Sequence, residues 1–261
     1  MTLAVIVQAR AGSTRLPGKV LMDLGGQTAL ARCLARCQAI PGVDIVVAAV
    51  PEGADDDPVA LEAARCGAAV VRGPHQDVLT RYAKAARAVR ASTVIRITSD
   101  CPLIDPALCG RTLALLEEAQ ADYATLAMPA RWPHGLDCEA FSAALLYRAE
   151  AEAHDPFERE HVTPFMRSAP GLIRACLLGP GGGLERLRWT LDHAEDLAFL
   201  RAVFAAMGEA AATASAADIA ALCLRRPDIP ALNARWIDEG RLAGGQIAER
   251  QTAPQPMRQA A

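Results

Sequence analysis

The segment Gln8-Ala9-Arg10-Ala11-Gly12-Ser13-Thr14-Arg15-Leu16-Pro17-Gly18-Lys19 carries three cations, two glycines and two hydroxyl residues, and no acid. That composition suits an anion. Glycines let backbone N–H groups approach closely, and Arg10, Arg15 and Lys19 can add charge-assisted hydrogen bonds. Each such bond is worth roughly 1.5–3 kcal/mol net, so three together suffice for a triphosphate of charge about −4. Spacing excludes two familiar phosphate loops. A P-loop has four residues between its glycines and a hydroxyl residue after the lysine. Here five residues separate Gly12 from Gly18, and Val20 follows Lys19. A Rossmann G-x-G-x-x-G is absent as well. The competing reading is a solvated basic turn in which Pro17 and Gly18 are structural.

A second segment, Arg96-Ile97-Thr98-Ser99-Asp100-Cys101-Pro102-Leu103-Ile104-Asp105, offers chemistry of the opposite sign. Asp100 could hold Mg²⁺, an ion that takes one or two carboxylates and completes its shell with phosphate oxygens and water. The alternative is a turn aspartate ahead of Pro102. Asp105-Pro106 has the signature of an N-cap and N1 proline for a helix running through Glu117. Asp192 follows the apolar-containing stretch Leu187–Leu191 and by itself reads as a helix N-cap. His161 falls in a helical run and reads as a capping or packing residue. His134, ahead of Gly135 in a proline-containing turn, is a candidate substrate contact. Asp55-x-Asp57 has the look of a sugar-transferase metal motif. It follows Gly53 in an acidic turn, however, and Asp57-Pro58 has the N-cap signature of a helix, so a solvated loop is the reading.

These residues need a scaffold that brings them together. Leu3–Val7, Ile45–Val50, Ala68–Val71 and Thr93–Thr98 are short and rich in Val and Ile, as buried parallel strands are. Helical patterns lie between them, clearest over Asp77–Val89, where Val78, Tyr82, Ala85 and Val89 recur on one face. Alternation of this kind specifies right-handed crossovers and an α/β fold with a doubly wound, mostly parallel sheet. Ligands of such a sheet bind beyond the carboxyl ends of its strands, where the basic loop and Asp100 both emerge. In the second half Asp122–Leu126 and Ile173–Leu178 are expected strands. Ala140–Ala153, Phe157–Ser168 and Asp196–Met207 are expected helices. Gly179–Gly183 is a turn, and residues 244–261 lack periodicity and are expected to fray beyond a single domain over 1–243.

Composition bounds the class. Of 261 residues 52% are hydrophobic and 22% charged, which excludes a disordered or fibrous chain. A net charge of −3 and 4% aromatics argue against binding nucleic acid, duplex or single-stranded. The first apolar run is too short for a secretory signal, and the alanine-rich stretch around Val203–Leu224 contains Glu209 and Asp218, unlike a membrane span. The eight cysteines are scattered without zinc spacing and read as reduced core thiols. A cytoplasmic protein is the expectation.

Taken together, the segments resemble the cytidylyltransferase family that activates acidic sugars as CMP conjugates. Within it they are most similar to the spore coat polysaccharide biosynthesis type, related to acylneuraminate and Kdo cytidylyltransferases. The likeness is carried by Val7–Lys19, by Arg96–Asp105, and by Arg72-Gly73 with Asp77-Val78-Leu79-Thr80-Arg81-Tyr82. Gly135–Ser142, Glu158–Pro164 and Trp189–Leu197 continue it. The resemblance implies a Rossmann-like sheet of the nucleotide-diphospho-sugar transferase type with a small inserted arm. It also implies that Ala9, Arg10, Ala11, Gly12, Ser13, Arg15 and Lys19 cradle CTP, and that Arg72, Gly73, Asp77 and Ser99 border the nucleotide. Asp100 and Asp192 would bind Mg²⁺, and His134, Asp137 and Glu139 the acceptor. Ala11 and Ser99 depart from the family, which often has glycine at both positions. The implied reaction moves CMP from CTP to an acidic acceptor such as a nonulosonic acid, with release of pyrophosphate. Arg10, Arg15, Lys19 and Asp100 would be its catalytic residues. A phosphonate or phosphate-bearing acceptor, a glycosyltransferase of the same fold, and a nucleotide-binding regulatory domain are the alternatives. The family also implies a homodimer, to which Arg131–Phe141 could supply an exchanged arm.

Overall fold

The computed structural model describes residues 1–242 and 257–260. Four parallel strands, β1 (Thr2–Gln8), β2 (Ile45–Pro51), β3 (Ala69–Gly73) and β4 (Ala91–Thr98), form one half of the sheet in the order β3-β2-β1-β4. Their connections are α1 (Ala29–Gln38), α2 (Asp57–Arg65) and α3 (Val78–Ala88). Side chains alternate along β1: Val5 and Val7 enter one core, Ala4 and Ile6 the other, and all four are inaccessible to solvent. This period of two, with both faces covered, is why these strands are continuous apolar runs.

The other half has mixed polarity. Helix α4 (Pro106–Glu118) leads to β5 (Tyr123–Thr125) and then β6 (Glu139–Ser142), which runs antiparallel to both β4 and β5. Next come α5 (Ala143–Glu152), α6 (Pro156–His161), α7 (Pro164–Ser168) and β7 (Arg174–Leu177), which is parallel to β5. Helices α8 (Ala194–Met207), α9 (Ala216–Arg225) and α10 (Asp228–Ala231) follow, and Trp189, Leu191, Phe199, Leu200 and Ile219 belong to a third core. Strand β8 (Met257–Ala260) pairs with β7; the rest of the tail expected over 244–261 lies outside the described residues. Among the described residues no helix is long and apolar enough to cross a membrane.

The parallel half and the Asp105 cap match the sequence reading: Asp105 Oδ1 accepts from the N–H groups of Ala107 and Leu108 at 2.8 and 3.1 Å. All eight cysteines are free, and all but Cys66 are buried. Four expectations are corrected. The helix expected from Ala140 starts at Ala143, because Glu139–Ser142 is the strand β6 and Ser142 caps α5 through Leu145 N–H at 3.1 Å. The helix expected over Phe157–Ser168 is two helices, broken where Val162 takes φ 71. The cap position of α2 is Asp56 rather than Asp57, with Pro58 in the first turn. Asp192 caps nothing: His193 is the N-cap of α8, and Asp196 accepts the backbone N–H groups of Asp192 and His193 at 2.9 and 3.0 Å.

Candidate active site

The paired ends of β1 and β4 set the site. Gln8 lies opposite Thr98, and Ser99 N–H donates to Gln8 O at 3.1 Å, so the two following loops leave the sheet side by side. The basic loop is tied at both ends. Ala9 N–H donates to Ala49 O at 3.2 Å, and Gly18 N–H closes back on Ala11 O at 3.1 Å. Gly18 has φ 69, a left-handed conformation that favours glycine just before the turn Lys19–Leu21. Ala11 N–H points to the Asp56 carboxylate at 2.6 Å. The backbone donor of this departing residue is therefore occupied by a carboxylate from the edge of α2.

Lys19 is the centre of the arrangement. Its Nζ lies 2.8 Å from Asp100 Oδ2 and 2.8 Å from Asp192 Oδ1. Arg15 Nη2 approaches the same Asp192 oxygen at 2.7 Å, while Arg188 Nη2 holds the other at 3.0 Å. Buried Arg188 is itself fixed by the inaccessible Asp196, at 2.8 and 2.9 Å, so Asp192 is aimed through two supporting groups. Asp100 O accepts from Leu191 N–H at 2.8 Å, stitching together the two acidic segments, which lie 92 positions apart in number. Burial pushes the Asp100 and Asp192 carboxyls upward, but the Lys19 ammonium outweighs it and holds both below the ordinary value. Burial likewise depresses Lys19, and the two carboxylates more than reverse it, leaving the ammonium above its ordinary value.

A cavity of about 520 Å³ opens on this cluster, a size that suits a small-molecule ligand. Ala9, Arg10, Gly12, Ser13, Arg15, Lys19, Ser99, Asp100 and Asp192 line it, as expected from the sequence. Ala11 does not, nor do Arg72, Gly73, Asp77, His134, Asp137 and Glu139. Arg72 binds Pro51 O at 2.7 Å and the Asp57 carboxylate at 2.9 Å. Asp77 caps α3 through Thr80 N–H at 2.9 Å and pairs with Arg159. Asp137 takes Gly135 N–H at 3.1 Å and Arg241 at 3.0 Å. Glu139 is deep in the core, bonded to Arg96, Arg167, Tyr123 and Thr163. His134 faces a neighbouring hollow of about 280 Å³ that shares Arg15 and Asp192 with the main cavity.

Residues that sequence reasoning missed are Thr14, His75, Val78, Arg81, Thr98, Glu160 and His161. His161 packs as read, but it does more than pack. It is exposed on the cavity wall with its ring 4.3 Å from that of Phe157. The signal for Arg81 and Val78 was present in the Asp77–Tyr82 block, but the flanking Asp77 drew the assignment. Among the described residues no three or more of His, Cys, Asp and Glu group as a metal site. The protein's own donor set at the cavity is therefore the pair Asp100 and Asp192. Two hard carboxylates beside a space for phosphate oxygens are what Mg²⁺ accepts, so these residues fit that ion.

Residues 4–201 match the Cytidylyltransferase family. The spore coat polysaccharide biosynthesis protein SpsF of Bacillus subtilis is 33% identical, over 85% of this chain and 94% of its own length. The 3-deoxy-manno-octulosonate cytidylyltransferase of Anaeromyxobacter dehalogenans strain 2CP-1 is 33% identical, over 75% of this chain and 87% of its own. Among solved structures, a cytidylyltransferase from Leptospira borgpetersenii superposes with a TM-score of 0.80 at 28% identity, covering 88% of this chain and 96% of that one. With the sheet, the cation-bearing loop and the paired acids in place, the chain belongs to the cytidylyltransferase family and is a nucleotidyltransferase.

Proposed function

We propose that the enzyme transfers CMP from CTP to the oxygen of an acidic sugar, of the nonulosonic or Kdo class, and releases pyrophosphate in a Mg²⁺-dependent reaction. The observation that carries this is the single ammonium of Lys19, held 2.8 Å from each of two acids at the mouth of a nucleotide-sized cavity. The choice of acceptor leans on the kinship with the 3-deoxy-manno-octulosonate enzyme and SpsF.

In the reaction an acceptor oxygen attacks the α-phosphorus in line, the α–β phosphoanhydride bond breaks, and the electron pair leaves on pyrophosphate. The protein's work is positioning and charge neutralisation. Arg10, Arg15 and Lys19 sit on one loop and face the growing charge of the leaving group. Asp100 and Asp192 would hold Mg²⁺, which supplies a Lewis acid for the phosphate oxygens. Arg188 and Asp196 keep Asp192 in its orientation, and the Leu191–Asp100 backbone bond keeps the two acids in one place. Arg15 and Asp192 line both the main cavity and the hollow containing His134, which supports reading that hollow as the acceptor's side of the site.

The test is pyrophosphate release across the four ribonucleoside triphosphates and a panel of acidic acceptors, with and without Mg²⁺. CTP with a sugar acid should give stoichiometric pyrophosphate. Turnover with a phosphonate only would replace the acceptor. Release of a nucleoside diphosphate without pyrophosphate would overturn the reaction class. Pairing into a homodimer belongs to the same reading, and a protomer-sized mass by light scattering would refute it.

A further inference from the structure

The Lys19 ammonium stands on both acids at once, 2.8 Å from Asp100 Oδ2 and 2.8 Å from Asp192 Oδ1. An ammonium has three N–H donors. Two reach the acids, and the third meets no acceptor among the described residues. Asp192 has two further cations of different character. Arg188 is buried and fixed by Asp196, whereas the Arg15 side chain is 57% exposed and sits on the same oxygen as Lys19. Because Asp196 already answers Arg188, the two cavity acids are balanced in charge by Lys19 and Arg15.

A divalent ion arriving alone upsets that balance by two positive charges, in a place with little water to screen them. Mg²⁺ takes carboxylate oxygens at about 2.0–2.1 Å, too close for an ammonium held on the same oxygens to stay. A triphosphate of charge about −4 changes both conditions, since it gives Lys19 and Arg15 new partners and offsets the charge of the ion. On the metal reading above, we infer that Lys19 is a placeholder for the ion. In the free enzyme it is a positioning residue that keeps Asp100 and Asp192 aimed at one point and holds that point against a divalent cation. When a triphosphate takes the lysine, the ion enters with the nucleotide and not ahead of it. The third N–H supplies the route, because the ammonium can engage a phosphate oxygen before it releases either acid.

The experiment is titration of the full-length protein, without nucleotide, with Mn²⁺ alone, the unbound ion being read by its electron paramagnetic resonance signal. The Leu191–Asp100 backbone bond and the Arg188–Asp192 pair do not involve Lys19, so they keep the acids together when it is replaced. Lys19→Met and Lys19→Gln should each bind Mn²⁺ about 10- to 100-fold more tightly than the wild type, the equivalent of one charge-assisted hydrogen bond no longer competing. Glutamine retains a donor for one acid and guards against a methionine variant that fails to fold. Adding Asp100→Asn to either variant should abolish the gain. Variants that bind Mn²⁺ no more tightly than the wild type overturn the inference, and leave the two acids as metal ligands if Asp100→Asn lowers the affinity of the wild type. A gain that survives both Asp100→Asn and Asp192→Asn places the ion elsewhere and sinks the metal reading itself.

Discussion

The chain holds two clusters in which carboxylates meet cations, one at the mouth of the cavity and one in the core. At the cavity, Asp100, Asp192 and Lys19 keep 26%, 14% and 13% of their side-chain surfaces in solvent. In the core, Glu139 keeps 3% and is surrounded by Arg96, Arg167, the Tyr123 hydroxyl and Thr163. Both clusters hold their acids below the ordinary range against the pull of burial, the first through Lys19, the second through Arg167 and Arg96. Ionisation therefore does not separate a working site from a structural one. What separates them is access to a cavity. Glu139 has four partners from β4, β5, α7 and the turn between α6 and α7, and is not among the residues that line the cavity. Asp100 and Asp192 share the Lys19 ammonium, with Arg15 and Arg188 also on Asp192, beside a space large enough for a ligand.

The largest expected effect falls on the cavity cluster. Asp100→Asn should cut turnover with CTP and Mg²⁺ by about 10³, since loss of a metal's charge stabilisation is worth several kcal/mol. Its thermal midpoint should stay close to that of the wild type, because Lys19 keeps Asp192. Lys19→Met should lower kcat by about 10² to 10³, as removal of one preorganised donor does, and here kcat/KM falls with it. A variant of either residue that turned over CTP at the wild-type rate would place the chemistry elsewhere.

The core cluster should invert that pattern. Glu139→Gln leaves Arg96 and Arg167 without their anion in a buried place, and breaking such a pair costs about 3–5 kcal/mol. At this chain length that lowers Tm by roughly 10 °C. The fraction that remains folded should retain KM for CTP. A KM raised tenfold with unaltered Tm would move Glu139 into the substrate site. Smaller again is Asp77→Ala, which removes a helix cap for a loss of about 0.5–2 kcal/mol. Urea unfolding measures it, and CTP affinity should be unchanged.

These contrasts also show what a sequence can disclose. The parallel half was legible because strands covered on both faces must be uniformly apolar, and Asp105 because Pro106 at N1 leaves little else for it to do. The basic loop was legible because three cations and two glycines, with no acid, directly after a strand suit an anion. Glu139 was misassigned because its three charged or phenolic partners come from Arg96, Tyr123 and Arg167, scattered over the chain, and only tertiary packing brings them around it. Asp192 was left between metal ligand and cap for a similar reason. The cap's carboxylate lies four residues on, in Asp196, and nothing local distinguishes the two aspartates until Arg188 is seen to bridge them. The strand β6 hid inside a helical run, its four residues too few to show a period.

The smallest expected effect is a flat line, and it sharpens the comparison most. An acid whose folded pKa lies below its unfolded value stabilises the fold above about pH 4 and loses that contribution as the pH falls through the folded value. Asp100, Asp192 and Glu139 all shift in this direction. Lys19 shifts upward, so its contribution is complete below about pH 10 and is lost as the pH rises through its folded value. Between about pH 5 and 9, then, neither cluster changes charge. The difference in unfolding free energy between wild type and Glu139→Gln should be constant over that window. Lys19→Met, by contrast, removes the ammonium that offsets burial of Asp100 and Asp192, so their carboxyls move upward. Its difference from the wild type should already narrow as the pH falls through their raised values. Both differences should shrink on acidification below about pH 4, as the acids protonate in the unfolded chain first. A carboxylate of the folded wild type that titrated near neutrality by NMR would mean that one cavity acid lies far above the ordinary carboxylate range. Lys19 would then be paired with one carboxylate instead of two, and the shared ammonium on which the site is built would be gone.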